Sequence, residues 1–296
     1  RRRRAVLRVN ARGGRRARRP GRRRGRSRAA AFVGTIGRVL RRVVVTRYVL
    51  PLREGGSLPA VVEADDGRAY VVKFRAAGQG ARALVAEIVA GELARALGLQ
   101  VPELVIVELD EAIGRNEPDP EIRALVVASA GDNAGLAFLE RAVGFDPAAG
   151  PDLEPGLAAR IVAFDAFAQN MDRTAKNPNL LWCRGGLWLI DHGAALYWQH
   201  DWDGSLAGHD ARFPLIARHV LLPWAGEVAA TAEWLARGLS DGAIDAAVAA
   251  VPDGWWTAPP ALAPAATRAA FAARLRARRD VTTYLEEADR ARARAV

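Results

Sequence analysis

Two kinds of hydrophobic pattern divide this sequence into a strand-forming part and a helix-forming part. In the first part, three short apolar runs, Val43 to Leu50, Ala60 to Ala64 and Ala69 to Phe74, are separated by turn-forming residues. The turn Asp65-Asp66-Gly67 between the last two runs is a strong hairpin signal. The pattern therefore predicts a small antiparallel sheet of three strands.

The rest of the first part contains one clear helix. Ala83 to Leu97 carries apolar residues at helical spacing, and Val101 to Leu109 is typical of a further strand. Ile122 to Ala128 and Gly135 to Leu139 are less regular candidates for strands. A linker rich in proline and glycine, Phe145 to Gly156, is expected to end this part.

The second part is mainly helical. An amphipathic helix is predicted for Leu157 to Gln169, and a polar loop, Asn170 to Asn179, follows it. Two short strands, Leu180 to Cys183 and Leu187 to Ile190, should then form a hairpin. The later helices are predicted at Pro214 to Leu222, Ala225 to Leu239, Asp241 to Ala250 and Pro264 to Glu286. The fold class expected from these patterns is α+β, with a sheet-rich lobe at residues 43–150 and a larger helical lobe at 151–296.

The positive charge of the chain is concentrated in one terminal segment. Residues 1–28 contain 15 arginines and no acidic residue, so the remainder is acidic although the whole chain carries a net charge of +10. Such a segment cannot bury apolar surface, and we expect residues 1–42 to be a disordered tail. It is either a silent extension, a weak nucleic-acid contact made through phosphate neutralisation, or a targeting segment.

Cysteine content and hydropathy narrow the class of protein. Cys183 is the single cysteine and there are four histidines, so an internal disulfide is excluded and a structural zinc site is not expected. No apolar run approaches the ~20 residues that cross a bilayer. These features predict a cytoplasmic protein that does not insert into membranes.

Lysine is almost absent from the sequence. The chain has 41 arginines and two lysines, Lys73 and Lys176, and a lysine retained in such a composition suggests a site that needs a compact ammonium group. Lys73 lies at the end of the third predicted strand, where alternation with Val72 and Phe74 should direct it away from the core. Glu87 on the following helix is its predicted partner, with Glu92 as the rival.

The polar loop and the hairpin after it bring together groups suited to phosphoryl transfer. Asp172 and Asn177 have the Asp-x4-Asn spacing of a kinase catalytic loop. Asp191 ends the return strand of the hairpin, so Asn177 and Asp191 should face one point, as two oxygen ligands of Mg²⁺ must. Asp172 would lie beside them and accept the proton of an acceptor hydroxyl.

The sequence also offers candidates for further contacts with phosphate and metal, but their patterns are less specific. Gly55, Gly56 and Ser57 form a short loop whose backbone N–H groups could hold a phosphate, although a tight turn explains them almost as well. Lys176 either binds the γ-phosphate or caps local carbonyls. Asn179 is an alternative to Asn177 as the metal ligand, because Asn-Leu-Leu follows there.

Taken together, several segments resemble the HipA-like kinases, relatives of the HipA toxin kinase and more remotely of the phosphatidylinositol kinases. They occur in the same order over residues 43–250: Val72-Lys73-Phe74, Glu87 through Gly98-Leu99-Gln100-Val101-Pro102, Asn170-Met171-Asp172-Arg173, Asn177-Pro178-Asn179-Leu180-Leu181 and Leu189-Ile190-Asp191-His192-Gly193-Ala194. The resemblance implies a two-lobed, protein-kinase-like fold that binds ATP and Mg²⁺. It implies that Lys73 contacts the ATP phosphates, Asp172 is the catalytic base, and Asn177 and Asp191 bind the metal.

The sequence departs from the protein-kinase pattern in three places. Asp191-His192-Gly193 replaces Asp-Phe-Gly, Asn170 stands where the His of His-Arg-Asp would be, and no Ala-Pro-Glu follows. An activation loop of the protein-kinase type is therefore not expected.

The leading hypothesis is an ATP-dependent kinase that phosphorylates a hydroxyl group of a protein or a small molecule. The alternatives are a nucleotide-binding pseudokinase that acts as an interaction module, and a nucleic-acid-binding protein that uses the arginine-rich tail. Transfer of AMP in place of phosphate is also open, and the sequence does not identify the acceptor.

Overall fold

Five strands of the first lobe close into a barrel. The computed structural model describes residues 39–52, 58–115, 117–150, 152–257 and 262–295. The strands are β1 (Arg41–Pro51), β2 (Ala60–Ala64), β3 (Ala69–Lys73), β4 (Leu104–Leu109) and β5 (Gly131–Ala137). Their order around the barrel is β1-β2-β3-β5-β4, and a parallel pairing of β1 with β4 closes it. The predicted three-stranded antiparallel sheet is thus confirmed as one side of this barrel.

Alternating apolar residues fill the interior of the barrel. Val43, Val62, Tyr70 and Val72 are buried in one cluster. Gly135 lies on β5 where a Cβ atom would collide with the side chains of two β4 residues, Val105 and Val107. The barrel can close at this point because glycine lets the backbones approach.

Two helices accompany the barrel. Helix α1 (Ala81–Ala96) is buried around most of its circumference, packs against the barrel and contributes many residues to the larger core of the second lobe. Helix α2 (Pro120–Ala128) occupies the segment for which a strand had been considered. Asp119 explains the difference, because its side chain accepts the N–H groups of Glu121 and Ile122 and so caps a helix that begins at Pro120.

The second lobe begins with strands that position the polar loop. Strand β6 (Val143–Gly144) pairs with β7 (Leu180–Cys183), which forms a hairpin with β8 (Gly186–Leu189). Strand β6 lies before residue 150, where the sequence predicts the boundary between the lobes. It nevertheless pairs with the hairpin that follows this boundary. Helix α3 (Pro155–Ala168) leads into the polar loop.

Four further helices and several short 3₁₀ turns complete the described part of this lobe. The helices are α4 (Ala232–Gly238), α5 (Asp241–Ala249), α6 (Pro264–Arg279) and α7 (Thr283–Ala295). The predicted helix from Pro264 to Glu286 is wrong as one element, because α6 ends at Arg279 and a separate helix, α7, begins at Thr283, where Tyr284 packs against Phe167 of α3. Likewise, 3₁₀ turns replace most of the predicted helix Pro214 to Leu222, and α4 begins seven residues after Ala225.

Arg278 of α6 fixes the end of α3. Its guanidinium donates through Nε to the carbonyl of Phe167 at 2.6 Å and through Nη2 to that of Ala166 at 2.9 Å. The last carbonyls of a helix have no partner within the helix, so the buried arginine satisfies two of them. The loop that follows α3 therefore starts from a fixed point.

Within the described ranges, no helix is both long enough and apolar enough to cross a membrane.

Candidate active site

Lys73 and Glu87 form a buried ion pair between the barrel and α1. Lys73 is the last residue of β3, and its Nζ lies 2.5 Å from Oε2 of Glu87. The Lys73 side chain is only 11% exposed and that of Glu87 is fully buried. Alternation does direct Lys73 out of the barrel interior, but neighbouring elements cover it there.

Asp191 is the third member of this cluster. Its Oδ1 also contacts Nζ of Lys73, and its side chain remains 38% exposed. Asp191 follows β8 in a left-handed backbone conformation with φ of 56°, which aspartate tolerates better than most residues with a β-carbon. The turn thus places a partly open carboxylate beside the lysine.

Glu87 is held in place from two sides. Its Oε2 also accepts the backbone N–H of His192 at 2.8 Å. Burial alone would raise the pKa of this carboxyl, but the Lys73 ammonium and the proximity of His192 outweigh that effect and lower the pKa to about 2. The rival Glu92 pairs with Arg95 on the same helix, 3.3 Å away, and burial raises its pKa.

Asp172 accepts two amide donors at one carboxylate oxygen. The Nδ2 atoms of Asn177 and Asn179 lie 2.8 and 3.3 Å from Oδ2 of Asp172. Burial raises the pKa of Asp172, the nearby charge of Asp191 adds to this rise, and the two amides oppose it. The structure therefore brings Asp172 together with both asparagines considered as metal ligands.

The two asparagines differ in how the hairpin holds them. Asn179 is buried, and its carbonyl accepts the N–H of Ile190, the residue before Asp191, at 3.1 Å. Asn177 lies two residues earlier and is exposed. The hairpin register thus places Asn179, more directly than Asn177, opposite the segment that carries Asp191.

A buried network under the polar loop was missed by the sequence reasoning. Asp165 of α3 is fully buried, and its carboxylate accepts Arg173 Nε at 2.6 Å, His219 Nε2 at 2.9 Å and Asn170 Nδ2 at 3.1 Å. Burial would raise the pKa of Asp165, but the charge of Arg173 and the His219 hydrogen bond hold it well below its usual range. One signal was available, because Asp165 is the only ionisable residue in the apolar run from Ile161 to Ala168.

Arg173 connects this network to the hairpin. Its Nη1 donates to the carbonyl of Asn179 and, at 3.4 Å, to that of Ile190. These carbonyls belong to the two chain segments that carry Asn179 and Asp191. One buried guanidinium therefore sets the spacing between the polar loop and the turn at Asp191.

Of the remaining predicted residues, Lys176 makes no contact with the cluster among the described residues. Lys176 is exposed on the loop. Gly55, Gly56 and Ser57 lie outside the described residues.

The closed barrel with its buried lysine–glutamate pair, followed by a helical lobe that carries Asp172 and Asp191, defines a kinase-like architecture. The sequence model of the HipA-like kinase family matches residues 45–286. The chain belongs to the HipA-like kinase family, which confirms the resemblance seen in its sequence. It is therefore a kinase, an ATP-dependent phosphotransferase.

Similar solved structures are also kinases. The Helicobacter pylori proinflammatory kinase CtkA shares 13% identity with a TM-score of 0.49, over 84% of this chain and 97% of its own. The Golgi casein kinase with Mn/ADP bound shares 13% identity with a TM-score of 0.39, over 85% of this chain and 73% of its own. No curated protein gives a significant match.

Proposed function

We propose that this kinase transfers the γ-phosphoryl group of Mg·ATP to a hydroxyl group of a protein or a small molecule. The observation that carries the proposal is the convergence of Lys73, Glu87 and Asp191 in one cluster, with Asp172 and its two asparagines on the adjoining loop. Phosphoryl transfer depends mainly on positioning and on charge stabilisation, and these groups are suited to both.

Lys73 is proposed to contact the α- and β-phosphates. Its ammonium is already fixed by Glu87, so little side-chain entropy is lost when phosphate oxygens approach. Burial lowers the pKa of Lys73 on its own, but the carboxylates of Glu87 and Asp191 outweigh this and raise it, so the amine stays charged. In this proposal Glu87 positions the lysine and does not itself touch the nucleotide.

The donors on the hairpin fit a divalent cation of the Mg²⁺ type. Among the described residues no three His, Cys, Asp or Glu side chains gather as a preformed metal cage. Mg²⁺ is commonly bound by one or two protein oxygens together with phosphate oxygens and water, which matches Asp191 and an asparagine amide oxygen. We propose Asn179 as the asparagine ligand because of the hairpin register, in preference to Asn177. When bound, the ion would neutralise charge on the phosphates.

Asp172 is proposed to orient and deprotonate the acceptor hydroxyl. Both amide donors bind its Oδ2, so among the described residues Oδ1 has no such donor and is available to an acceptor. The raised pKa of Asp172 makes its carboxylate a stronger base than an exposed aspartate. Asn177 and Asn179 keep the carboxylate in a fixed orientation.

The test is incubation with Mg²⁺ and ATP labelled at either the α- or the γ-phosphorus, with the label followed into protein and into small molecules. We expect γ-label in the product and none from the α-position. Incorporation of α-label would mean AMP transfer and would overturn the proposal. Asp172→Asn is the matched control, since it keeps the side-chain volume and should lower the rate of labelling by about 10²–10⁴.

A further inference from the structure

The imidazole of His192 faces the unused oxygen of Glu87. Nδ1 of His192 lies 3.7 Å from Oε1 of Glu87, and both side chains are fully buried. Neither atom has a hydrogen-bond partner among the described residues. A buried carboxylate oxygen and a buried ring nitrogen without partners are both unfavourable, and a movement of less than ~1 Å would join them.

His192 is well placed to link the metal-binding turn to α1. It lies between Asp191 and Gly193, and its backbone N–H already donates to Oε2 of Glu87. Its ring packs edge-on against Phe164 of α3, with ring centroids 6.2 Å apart. The residue therefore touches both lobes, through its backbone on one side and its ring on the other.

We propose that His192 is a positioning residue whose Nδ1–H donates to Oε1 of Glu87 when Mg·ATP is bound. Each carboxylate oxygen of Glu87 would then have its own side-chain partner: Oε2 would accept from Lys73, and Oε1 would accept from the ring of His192. A donor on Oε1 would add to the contacts that Lys73 and the His192 N–H already make with Oε2, and would further restrict rotation of the carboxylate about its Cγ–Cδ bond. The inference rests on the proposed function, since it concerns how Lys73 is kept in place for the phosphates.

The substitution that separates this role from packing is suggested by the sequence motif itself. Phenylalanine, the residue of Asp-Phe-Gly, would fill the same space against Phe164 but offers no hydrogen-bond donor. Asparagine fills less space, but its Nδ2 can stand in the place of Nδ1. His192→Phe thus keeps the packing and removes the donor, while His192→Asn does the reverse.

The experiment measures the Kd for Mg·ATP by calorimetry and, with water as the phosphoryl acceptor, the kcat of ATP hydrolysis by release of γ-labelled phosphate, for the wild type and both variants. We expect Mg·ATP affinity to fall about tenfold in His192→Phe and no more than about threefold in His192→Asn, as for loss of a hydrogen bond to a charged group. The order of thermal stability should be the opposite, with the phenylalanine variant at least as stable as the asparagine variant. If His192 had only a structural role, the kcat and the Mg·ATP affinity of the two variants would follow the order of their thermal stabilities.

A second comparison repeats both substitutions in a Glu87→Ala background, which offers no acceptor to residue 192, so the difference between them in affinity should disappear. If His192→Phe binds Mg·ATP as tightly as His192→Asn, or if the difference persists without Glu87, the role assigned to His192 is wrong. Failure of the wild type to bind Mg·ATP would instead refute the proposed function and this inference with it.

Discussion

The Arg173 guanidinium donates to Asp165 Oδ2 across 2.6 Å, and neither side chain is exposed to solvent. The same guanidinium reaches the carbonyls of Asn179 and Ile190. Arg173 therefore has two roles. It forms a buried ion pair in the core of the second lobe, and it binds the two chain segments of the candidate site that carry Asn179 and Asp191. Stability and geometry of the site should consequently respond together to changes in this pair.

Removing the charge of Arg173 should be severely destabilising. Arg173→Met leaves Asp165 buried without its cationic partner, and breaking a buried pair in this way costs about 3–5 kcal/mol. The free energy of unfolding from urea titration measures the effect. The control is Arg237→Met, since Arg237 forms an exposed i,i+4 pair with Glu233 and should contribute less than ~0.5 kcal/mol. Similar losses in the two variants would contradict the importance of the buried pair.

His219 should make stability depend on pH just below neutrality. Its Nδ1 accepts the N–H of Leu221 at 3.1 Å and its Nε2 faces Asp165, so the folded state holds the neutral ring. Burial lowers the pKa of His219 although Asp165 opposes this. The unfolded chain then binds a proton more readily below its ordinary pKa of about 6.5, so stability is lost as pH falls from there.

Because of His219, the free energy of unfolding should decrease by up to ~1.4 kcal/mol for each pH unit below pH ~6.5. Thermal unfolding at pH 7.5 and 5.5 should show a smaller decrease in Tm for His219→Gln, which keeps a donor to Asp165 but does not titrate. An unchanged or larger decrease in that variant would assign the pH dependence to other groups.

The substitutions Asp172→Asn and Asp191→Asn should give different kinetic phenotypes. Loss of the proposed general base, Asp172, should lower kcat by about 10²–10⁴, equivalent to roughly 3–5.5 kcal/mol, while Mg·ATP binding is retained. Loss of the Asp191 charge should weaken Mg·ATP binding as well as turnover. Binding and steady-state kinetics on both variants check this, and equal, small effects would mean that this hairpin is not the active site.

The choice between the two asparagines can be tested through metal dependence. Asn179→Ala should raise the Mg²⁺ concentration that gives half-maximal activity by at least about tenfold, because the proposed direct ligand is lost. Asn177→Ala should change it by less than about threefold, since it would remove only a hydrogen bond to Asp172. The reverse order would restore Asn177 as the ligand.

Glu87 and Glu92 offer a matched comparison on one helix. Glu87→Gln removes the buried partner of Lys73 and should raise the KM for ATP about tenfold or more. Glu92→Gln removes only the partner of Arg95 and should leave the KM within about twofold. Steady-state kinetics at varied ATP concentration measure both KM values. Comparable changes in the two variants would contradict the proposed role of the Lys73–Glu87 pair in ATP binding.

Local patterns were enough to predict the elements that carry the candidate site. Turn residues and alternation identified the strand of Lys73, and the hairpin argument placed Asp191 near the polar loop that carries Asp172. The scarcity of lysine marked Lys73 as exceptional. These features depend on residues close together in the chain, where turn chemistry and periodicity apply directly.

The features that were missed depend on partners far apart in the chain. His219 meets Asp165 across 54 positions, and no local pattern marks such a pair. Closure of the barrel through β1 and β4 likewise follows from tertiary packing and not from either strand alone. Helix α2 could have been found, since Asp119-Pro120 is a helix-start signal that the apolar run after it obscured.

The hydrogen bonds from Arg278 to the end of α3 have a consequence for how the protein forms in the cell. The donor and the carbonyl of Phe167 are separated by 111 positions in the chain. At translation rates of about 5–20 residues per second, roughly 5–20 s pass after α3 is made before the arginine that anchors it is synthesised. A nascent chain carrying every candidate catalytic residue is therefore still without this anchor, and ribosome-bound intermediates should remain inactive until α6 has emerged.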